Sequence, residues 1–394
     1  MIEQAYIVAA QRTPVGKAPR GVFSRTRPDD LLTHVLRGVV NDCGGLKGES
    51  VDDVIIGCAM PEAEQGLNVA RIASLMADLP ESVPGFTVNR FCASGLQSIA
   101  SAADRIRLGE ADIMIAGGVE SMSMVPMMGN KMAMNPDIFK DENIAIAYGM
   151  GITAENVAKR WKITRDDQDM FALRSHQHAF DAIHAGNFSA ETLPYEVHQH
   201  LPQNDGTIQL SSRIIKHDEG PRANSSLEAL AKLRPAFDAK GSVTAGNSSQ
   251  MSDGAAAVVL MSESKMKALN LEPLARFVGF NVAGVPPEIM GIGPKEAIPK
   301  LMQQTGVNLN DVDWIELNEA FAAQALAVMH ELELDPQKVN PLGGAIALGH
   351  PLGATGAIRT ATLVHGLQRT QQRYGIVTMC IGTGMGAAGL FERC

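Results

Sequence analysis

The stretch GFTVNRFCASGLQSIASAADRIRLGEADIMIAGGVE (85–120) decides the fold, because it contains a complete strand–helix–strand unit. Residues 85–89 predict a strand, and residues 94–109 predict an amphipathic helix that ends at a glycine. Residues 111–120 predict a second strand that runs into a glycine pair. This order indicates an α/β protein with mostly parallel strands and helices covering the sheet.

The same order fills the first third of the chain and is repeated in the last third. The first copy adds strands at 5–11, 52–59 and 253–262 and helices at 29–43 and 66–79. The second copy predicts strands at 274–284, 312–318, 338–344, 374–380 and 386–392 and helices at 294–306, 319–332 and 353–370. Both copies therefore have the order β-α-β-α-β-α-β-β, and equivalent strand ends should meet near one seam.

An insertion with long polar connections separates the last strand of the first copy from the rest. We expect the insertion to contain two helices, at 153–161 and 165–185. The chain is accordingly divided into an N-terminal half of residues 1–121 completed by 251–272, an inserted loop domain of 122–250, and a C-terminal half of 273–394.

Charge and composition exclude several classes of protein. The 394 residues include 34 Lys and Arg against 43 Asp and Glu, and the net charge of −9 excludes a globally basic nucleic-acid binder. The five cysteines form no CxxC pair, so neither a disulfide framework nor a zinc ribbon is indicated. Signal-peptide and membrane-span patterns are absent, so we expect a cytoplasmic protein. His198 and His200 have no thiol or carboxylate cluster beside them, which favours a solvated loop over a metal site.

Two cysteines are candidates for reactive thiols. Cys92 follows a strand and stands at the start of a helix, where the macrodipole and free N–H groups should lower the thiol pKa and favour a thiolate nucleophile. Cys380 stands at the end of a strand in MCIGTGMGAAG (379–389), where glycines free backbone N–H groups around it. Cys43 and Cys58 fall inside helix and strand patterns and are expected in the core, and Cys394 is terminal.

A glycine-rich loop and a strand end supply the other polar candidates. His350 lies in NPLGGAIALGHPLGATGA (340–357), held between Gly349 and Pro351 just before a helix, which suits a general base. Asn318 and Glu319 fall between a strand end and a helix start, where Asn318 can orient a ligand or water. Glu319 by itself is more typical of a carboxylate that complements a helix dipole.

These segments resemble the thiolase family, with its CxSG helix start and its NEAF, GHP and CxGxG motifs. The resemblance covers essentially the whole chain, including TAGNSSQMSDGAAA (244–257) and GVPPEIMGIGP (284–294), and is strongest for the degradative 3-ketoacyl-CoA thiolases. It implies a five-layered α-β-α-β-α sandwich. It also implies thiolytic cleavage of 3-ketoacyl-CoA in fatty acid β-oxidation, with CoA as a substrate and no tightly bound cofactor or metal.

The resemblance also implies roles for individual residues. Cys92 corresponds to the acylated nucleophile, His350 to the group that activates it, and Cys380 to the acid/base acting on the acetyl Cα. Asn318 holds a water that forms one oxyanion hole with His350, and the backbone N–H groups of Cys92 and Gly382 form the other. The CoA contacts implied are Arg222 on the adenine side, Ser249 on the pantetheine, and Met150, Ala320 and Phe321 nearby.

Departures from the family pattern bear on the substrate and the assembly. Thr383 replaces a glycine of the usual CxGGG run, with little expected loss. Gly149 replaces a histidine of short-chain biosynthetic members, and methionines crowd residues 122–134, which is compatible with an acyl groove or with subunit packing. Family members are homodimers or homotetramers, and the resemblance leaves open whether a hydratase/dehydrogenase partner of β-oxidation binds this chain.

Four alternatives to a degradative thiolase are weighed. The first is an acetoacetyl-CoA thiolase working in the biosynthetic direction. A decarboxylating ketoacyl synthase is disfavoured because Cys380 stands where such enzymes have histidine. A non-catalytic acyl-CoA-binding module is disfavoured by the intact set of Cys92, His350, Cys380 and Asn318. A cysteine peptidase leaves the CoA-type segments unexplained.

Overall fold

The computed structural model describes residues 3–202 and 205–394. Its strands are β1 Ala5–Arg12, β2 Gly16–Lys17, β3 Asp53–Gly57, β4 Gly85–Val88, β5 Ile113–Ser121, β6 Tyr195–Pro202, β7 Ile208–Ile215, β8 Ser252–Ser262, β9 Ala275–Gly284, β10 Trp314–Leu317, β11 Tyr374–Ile381 and β12 Met385–Arg393. Its α-helices are α1 Pro28–Asp42, α2 Val69–Met76, α3 Ser94–Arg107, α4 Met150–Trp161, α5 Arg165–His184, α6 Leu227–Ala231, α7 Glu263–Ala268, α8 Gly293–Thr305, α9 Ala322–Glu331, α10 Ala345–Leu348 and α11 Leu352–Thr370.

One sheet runs through the molecule in the order β10-β11-β12-β9-β1-β8-β5-β3-β4, with β2 paired to β8. Read outward from its centre, β1, β8, β5 and β3 of the N-terminal half match β9, β12, β11 and β10 of the C-terminal half. Strand β3 is parallel to β4 and β5, and β10 is parallel to β11, whereas the other neighbours are antiparallel. The expectation of mostly parallel strands is therefore wrong, because the last two strands of each half run in opposite directions.

Two helices, α3 and α11, lie between the two halves of the sheet. Helix α11 packs on β5 and β8 on one side, on β10, β11 and β12 on the other, and against α3. Nearly every residue of α11 is buried, as expected for a helix that has apolar neighbours all round. Helices α1 and α2 cover the outer face of the N-terminal half, and α8 and α9 that of the C-terminal half. The expected five-layered α-β-α-β-α sandwich is confirmed.

The insertion contributes α4, α5, α6 and a separate hairpin. Within the part of the chain that the structure describes, strands β6 and β7 pair only with each other, antiparallel from Tyr195↔Ile215 onward. The loop expected around His198 is therefore wrong, since this exposed residue lies on β6, and the side chain of His200 lies outside the described residues. After the insertion, β8 returns to pair with both β1 and β5.

Two further details differ from the sequence prediction. Residues 338–344 form only a single bridge between Val339 and Ile315, because the chain turns at once into the glycine-rich loop. Helix α9 begins at Ala322, so Asn318 and Glu319 lie in the connection that precedes it. In residues 3–202 and 205–394, no helix has the length and apolar character needed to cross a bilayer.

Candidate active site

Cys92 lies in a tight turn between β4 and α3. The turn is a single 3₁₀ element, Phe91–Ala93, and Phe91 has a φ of +43°, which an aromatic residue rarely adopts. The Ser94 hydroxyl accepts from Arg90 N at 2.8 Å and donates to Phe91 O at 2.7 Å, which fixes the turn. The backbone N–H groups of Gly382 and of Cys92 itself donate toward the buried sulfur. The arrangement presents a thiol with N–H donors already beside it.

His350 is buried where the glycine-rich loop meets α11. Its Nδ1 lies 2.6 Å from Thr355 Oγ1, and Thr355 donates its own proton to Pro351 O at 3.1 Å. Since Thr355 uses its proton there, it accepts from Nδ1–H, and the lone pair of the imidazole is on Nε2. Asn318 Nδ2 donates to that Nε2 at 3.3 Å. The histidine is thus held as a neutral tautomer whose basic nitrogen, Nε2, accepts from Asn318.

Cys92, His350 and Cys380 line one cavity of about 350 Å³, which we call the thiol cavity. Cys380 is fully buried at the end of β11. Most of the other predicted contacts also line this cavity, namely Ser249, Met150, Ala320 and Phe321. The structure therefore brings together three segments far apart in the chain with the residues that the resemblance associates with CoA.

Three predicted residues lie outside the thiol cavity. Asn318 is buried behind His350, and its Oδ1 has no partner among the described residues, so a water donor suits it. Gly382 lines the adjoining methionine cavity, described below. Arg222 lines a separate cavity of about 380 Å³ with His176, and Gln250 lines both that cavity and the thiol cavity.

Burial makes both partners of the expected proton transfer neutral. It raises the pKa of Cys92 to about 12, against an opposing effect of the N–H donors of Gly382 and Cys92. Burial also lowers the pKa of His350 to about 3, helped by the charge of Arg359. The pKa of Cys380 is raised by burial as well. The expected lowering of the Cys92 pKa by the helix start is wrong, because desolvation of the sulfur outweighs it.

An apolar cavity of about 550 Å³ adjoins the thiol cavity, and Cys92, Gly149 and Met150 line both. We call it the methionine cavity, since it is also lined by Met60, Met127, Met128, Met132 and Met134. Of the other predicted methionines, Met122 lines the thiol cavity and Met124 lines neither. Thr383, at the rim, has a φ of +64°, a conformation that glycine adopts without strain.

Several residues important for the site were not assigned by sequence reasoning. Glu319 is not a helix-start carboxylate but a buried acceptor for Ser175 Oγ (2.6 Å), Asn340 Nδ2 (2.9 Å) and Ile346 N (3.1 Å). These bonds fix the loop that leads to His350. The contact of Thr355 with His350 could have been predicted from the sequence, because Thr355 follows His350 by five residues at the start of a predicted helix. No sequence signal pointed to the hydrogen-bond partners of Glu120, which lies at the end of a predicted strand.

No group of three or more His, Cys, Asp or Glu side chains is arranged to hold a metal ion within residues 3–202 and 205–394. The residues of the site supply thiols, an imidazole, an amide and backbone N–H groups. These groups suit acyl transfer through a thioester, in which a thiol is the nucleophile and N–H groups stabilise an oxyanion.

Family comparisons agree with this chemistry over the full chain. Residues 5–264 match the thiolase N-terminal domain, and residues 271–393 match the thiolase C-terminal domain. The chain belongs to the thiolase family. This thiolase is therefore an acyltransferase.

Individual relatives include both bacterial and eukaryotic proteins. The 3-ketoacyl-CoA thiolase of Bacillus subtilis is 52% identical over 394 residues, covering 100% of both chains. The human peroxisomal 3-ketoacyl-CoA thiolase is 48% identical over 98% of this thiolase and 90% of its own length. Human mitochondrial 3-ketoacyl-CoA thiolase, a solved structure, has a TM-score of 0.89 at 38% identity, covering 100% of this chain and 99% of its own. The Bacillus anthracis acetyl-CoA acetyltransferase has a TM-score of 0.90 at 40% identity over the same shares.

Proposed function

We propose that this thiolase cleaves 3-ketoacyl-CoA with CoA, giving acetyl-CoA and an acyl-CoA two carbons shorter, as fatty acid β-oxidation requires. The observation that carries the proposal is the thiol cavity, where two cysteines and a neutral histidine adjoin a large apolar cavity. The relatives named 3-ketoacyl-CoA thiolase, at 52% and 48% identity, support the same reaction.

In the first half-reaction Cys92 attacks the C3 carbonyl carbon of the substrate while His350 Nε2 takes the thiol proton. Because burial disfavours a separated thiolate–imidazolium pair, proton transfer accompanies formation of the C–S bond. The C2–C3 bond then breaks, leaving the acyl group on Cys92 and releasing the acetyl-CoA enolate. Cys380 gives its thiol proton to C2 of that enolate, which completes acetyl-CoA.

In the second half-reaction CoA removes the acyl group. The Cys380 thiolate takes the proton of the CoA thiol, and the CoA sulfur attacks the thioester on Cys92. The Cys92 sulfur leaves and recovers the proton held by His350, so every group returns to its starting state. The backbone N–H groups of Cys92 and Gly382 stabilise the oxyanion on the acyl carbon, and Asn318, through a water, and His350 stabilise the enolate oxygen.

CoA is assigned to the path from the Arg222 cavity into the thiol cavity. Lys17 lies close enough to Arg222 for the charge of Arg222 to lower the pKa of Lys17, although burial is the larger cause. Arg222 at that cavity, with the charge of Lys17 close by, suits the phosphates of CoA, and Gln250 and Ser249 lie on the way to Cys92. The division into two halves and an inserted, CoA-binding loop domain belongs to this proposal.

The alternative is an acetoacetyl-CoA thiolase acting in the biosynthetic direction. The volume and apolar lining of the methionine cavity favour the degradative reaction, because a four-carbon substrate leaves that space unused. Each buried CH₂ adds about 0.8 kcal/mol, or roughly fourfold in binding. We expect kcat/KM in a steady-state thiolysis series from four- to sixteen-carbon 3-ketoacyl-CoA to rise for several carbons before it levels. A sharp optimum at four carbons would establish the biosynthetic alternative instead.

The assembly and the compartment also belong to the proposal. Met127, Met128 and Met132 line the methionine cavity and are exposed, and a second copy covering them makes a homodimer or homotetramer. Light scattering at micromolar concentration tests this, and a monomer would contradict it. Free thiols at Cys92 and Cys380 suit a reducing compartment, in keeping with a cytoplasmic enzyme.

A further inference from the structure

Glu120 is a fully buried carboxylate at the end of β5. Its Oε2 accepts from Ala59 N and Gly353 N, both at 2.8 Å. Its Oε1 accepts from Met60 N at 3.2 Å and from Gln65 Nε2. Each of these donors is an uncharged N–H group. None of them can accept a proton from Glu120, so these bonds favour the ionised carboxylate and oppose burial, which raises the pKa of Glu120.

The two oxygens join segments that carry the two reacting residues. Gly353 is in the first turn of α11, the turn that contains Thr355 and begins just after His350. On the other side, the carbonyl of Ala59 accepts from Asn89 Nδ2 at 3.0 Å. Asn89 Oδ1 accepts from Phe91 N at 2.8 Å, one residue before Cys92.

The contacts of Gly353 show how closely the first turn of α11 approaches Glu120 and the loop after β3. A Cβ added there would lie 2.7 Å from Cys58 Cα and 2.8 Å from both Ala59 N and Glu120 Oε2. The first turn of α11 therefore touches the loop after β3 with no side chain between them. A shift of either segment is transmitted directly to the other, because protein interiors are close-packed and leave no void between the two segments.

We propose that Glu120 is a positioning residue: its carboxylate sets the spacing of Cys92 and His350. The inference rests on the proposed thiolysis at Cys92. The charge acts on Cys92 in addition to burial, which is the larger cause of its raised pKa. The other titratable groups that line a cavity together with Cys92 are His350, Cys380, Glu62 and Tyr148, and Cys58 faces Glu120.

Two substitutions distinguish the effect of the side-chain length of Glu120 from the effect of its charge. Glu120→Gln keeps the length but turns an N–H₂ group toward N–H donors and removes the charge. We expect a roughly 100-fold lower kcat at nearly unchanged KM, since a small misplacement of reacting groups costs about that much. The pH midpoint for iodoacetamide alkylation of Cys92 should move to lower pH at the same time. Glu120→Asp keeps the charge but is one CH₂ too short, so its midpoint should stay near wild type while its kcat remains low.

Asp53→Asn is the matched control, because it removes another buried carboxylate from the opposite end of the neighbouring strand β3. It should leave kcat and the alkylation midpoint unchanged. Asn89→Ala, at an exposed position, breaks the link from Ala59 to Phe91 without altering Glu120. It should lower kcat while the alkylation midpoint stays in place.

Rates are referred to folded protein, measured by circular dichroism. If wild type cleaves acetoacetyl-CoA but Glu120→Gln keeps kcat within twofold, the inference is overturned, whether or not the midpoint moves. It is also overturned if Glu120→Gln does not fold and Asn89→Ala has wild-type kcat. Absence of thiolysis in wild type would instead refute the proposed function itself.

Discussion

His350 Nδ1 donates to Thr355 Oγ1 across 2.6 Å, and this single bond determines which nitrogen of the imidazole is basic. Thr355→Val has the same shape but no acceptor, so the tautomer is no longer fixed. We expect kcat to fall on the order of 100-fold with little change in KM or melting temperature. Thr355→Ser restores the acceptor and should restore most of the rate. Steady-state thiolysis of acetoacetyl-CoA measures both, and a Val variant within twofold of wild type would contradict this role.

Removal of each of the two thiols of the cavity should abolish a different reaction. Cys380→Ala should still accept an acyl group on Cys92 from acyl-CoA, because the nucleophile and its base remain. It should lose exchange of the acetyl-CoA α-protons into heavy water. Cys92→Ala should lose acyl transfer. Mass spectrometry follows the acyl-enzyme and NMR follows the exchange; equal loss of acylation in both variants would mean that Cys380 activates Cys92 or is structural.

Gly149 should control access to long acyl chains. It lines both cavities, and no atom lies within 4 Å of an added Cβ, so a side chain fits there without a clash. Gly149→His fills the passage, and we expect kcat/KM for a twelve-carbon substrate to drop about tenfold, equivalent to losing two buried CH₂ groups. The four-carbon substrate should be unaffected. Gly149→Ala is the control and should behave as wild type with both; a parallel loss for both chain lengths would contradict the prediction.

His176 should make the enzyme sensitive to acid. Burial lowers its pKa to about 4, while the unfolded chain takes a proton near pH 6.5, so stability is lost as the pH falls between these values. His176→Asn keeps an acceptor for Arg222 N but does not titrate. Between pH 7 and pH 5 its free energy of unfolding should fall by about 2 kcal/mol less than that of wild type. His184→Asn, exposed on the same helix, should match wild type in urea titrations; equal acid losses in all three proteins would refute the prediction.

The positions of the reactive residues could be predicted from sequence because each lies where a predicted strand or helix begins or ends. Cys92 follows a strand and precedes a helix, His350 is held by glycine and proline, and Cys380 ends a strand before glycines. Such boundaries are local, so one sequence is enough to find them.

The environment of these residues could not be predicted, because it depends on contacts between distant segments. The helix start at Cys92 suggested a thiolate, but β11 and α11 pack on its turn, and the resulting burial of the sulfur reverses the direction of the pKa shift. Glu120 looked like an ordinary strand end, since its donors come from residues 59–65 and 353. The β6–β7 hairpin was missed because its apolar residues, such as Ile208 and Leu210, are exposed and form no core pattern.

Strand β8 delays completion of the N-terminal sheet while the chain is synthesised at the ribosome. It separates β1 from β5 in the sheet, yet about 130 residues are translated between the end of β5 and the start of β8. At 5–20 residues per second, the nascent chain waits roughly 7–26 s with the edges of β1 and β5 unpaired. The N-terminal sheet is therefore completed late in translation, and during that interval its open edges are where chaperones have most to protect.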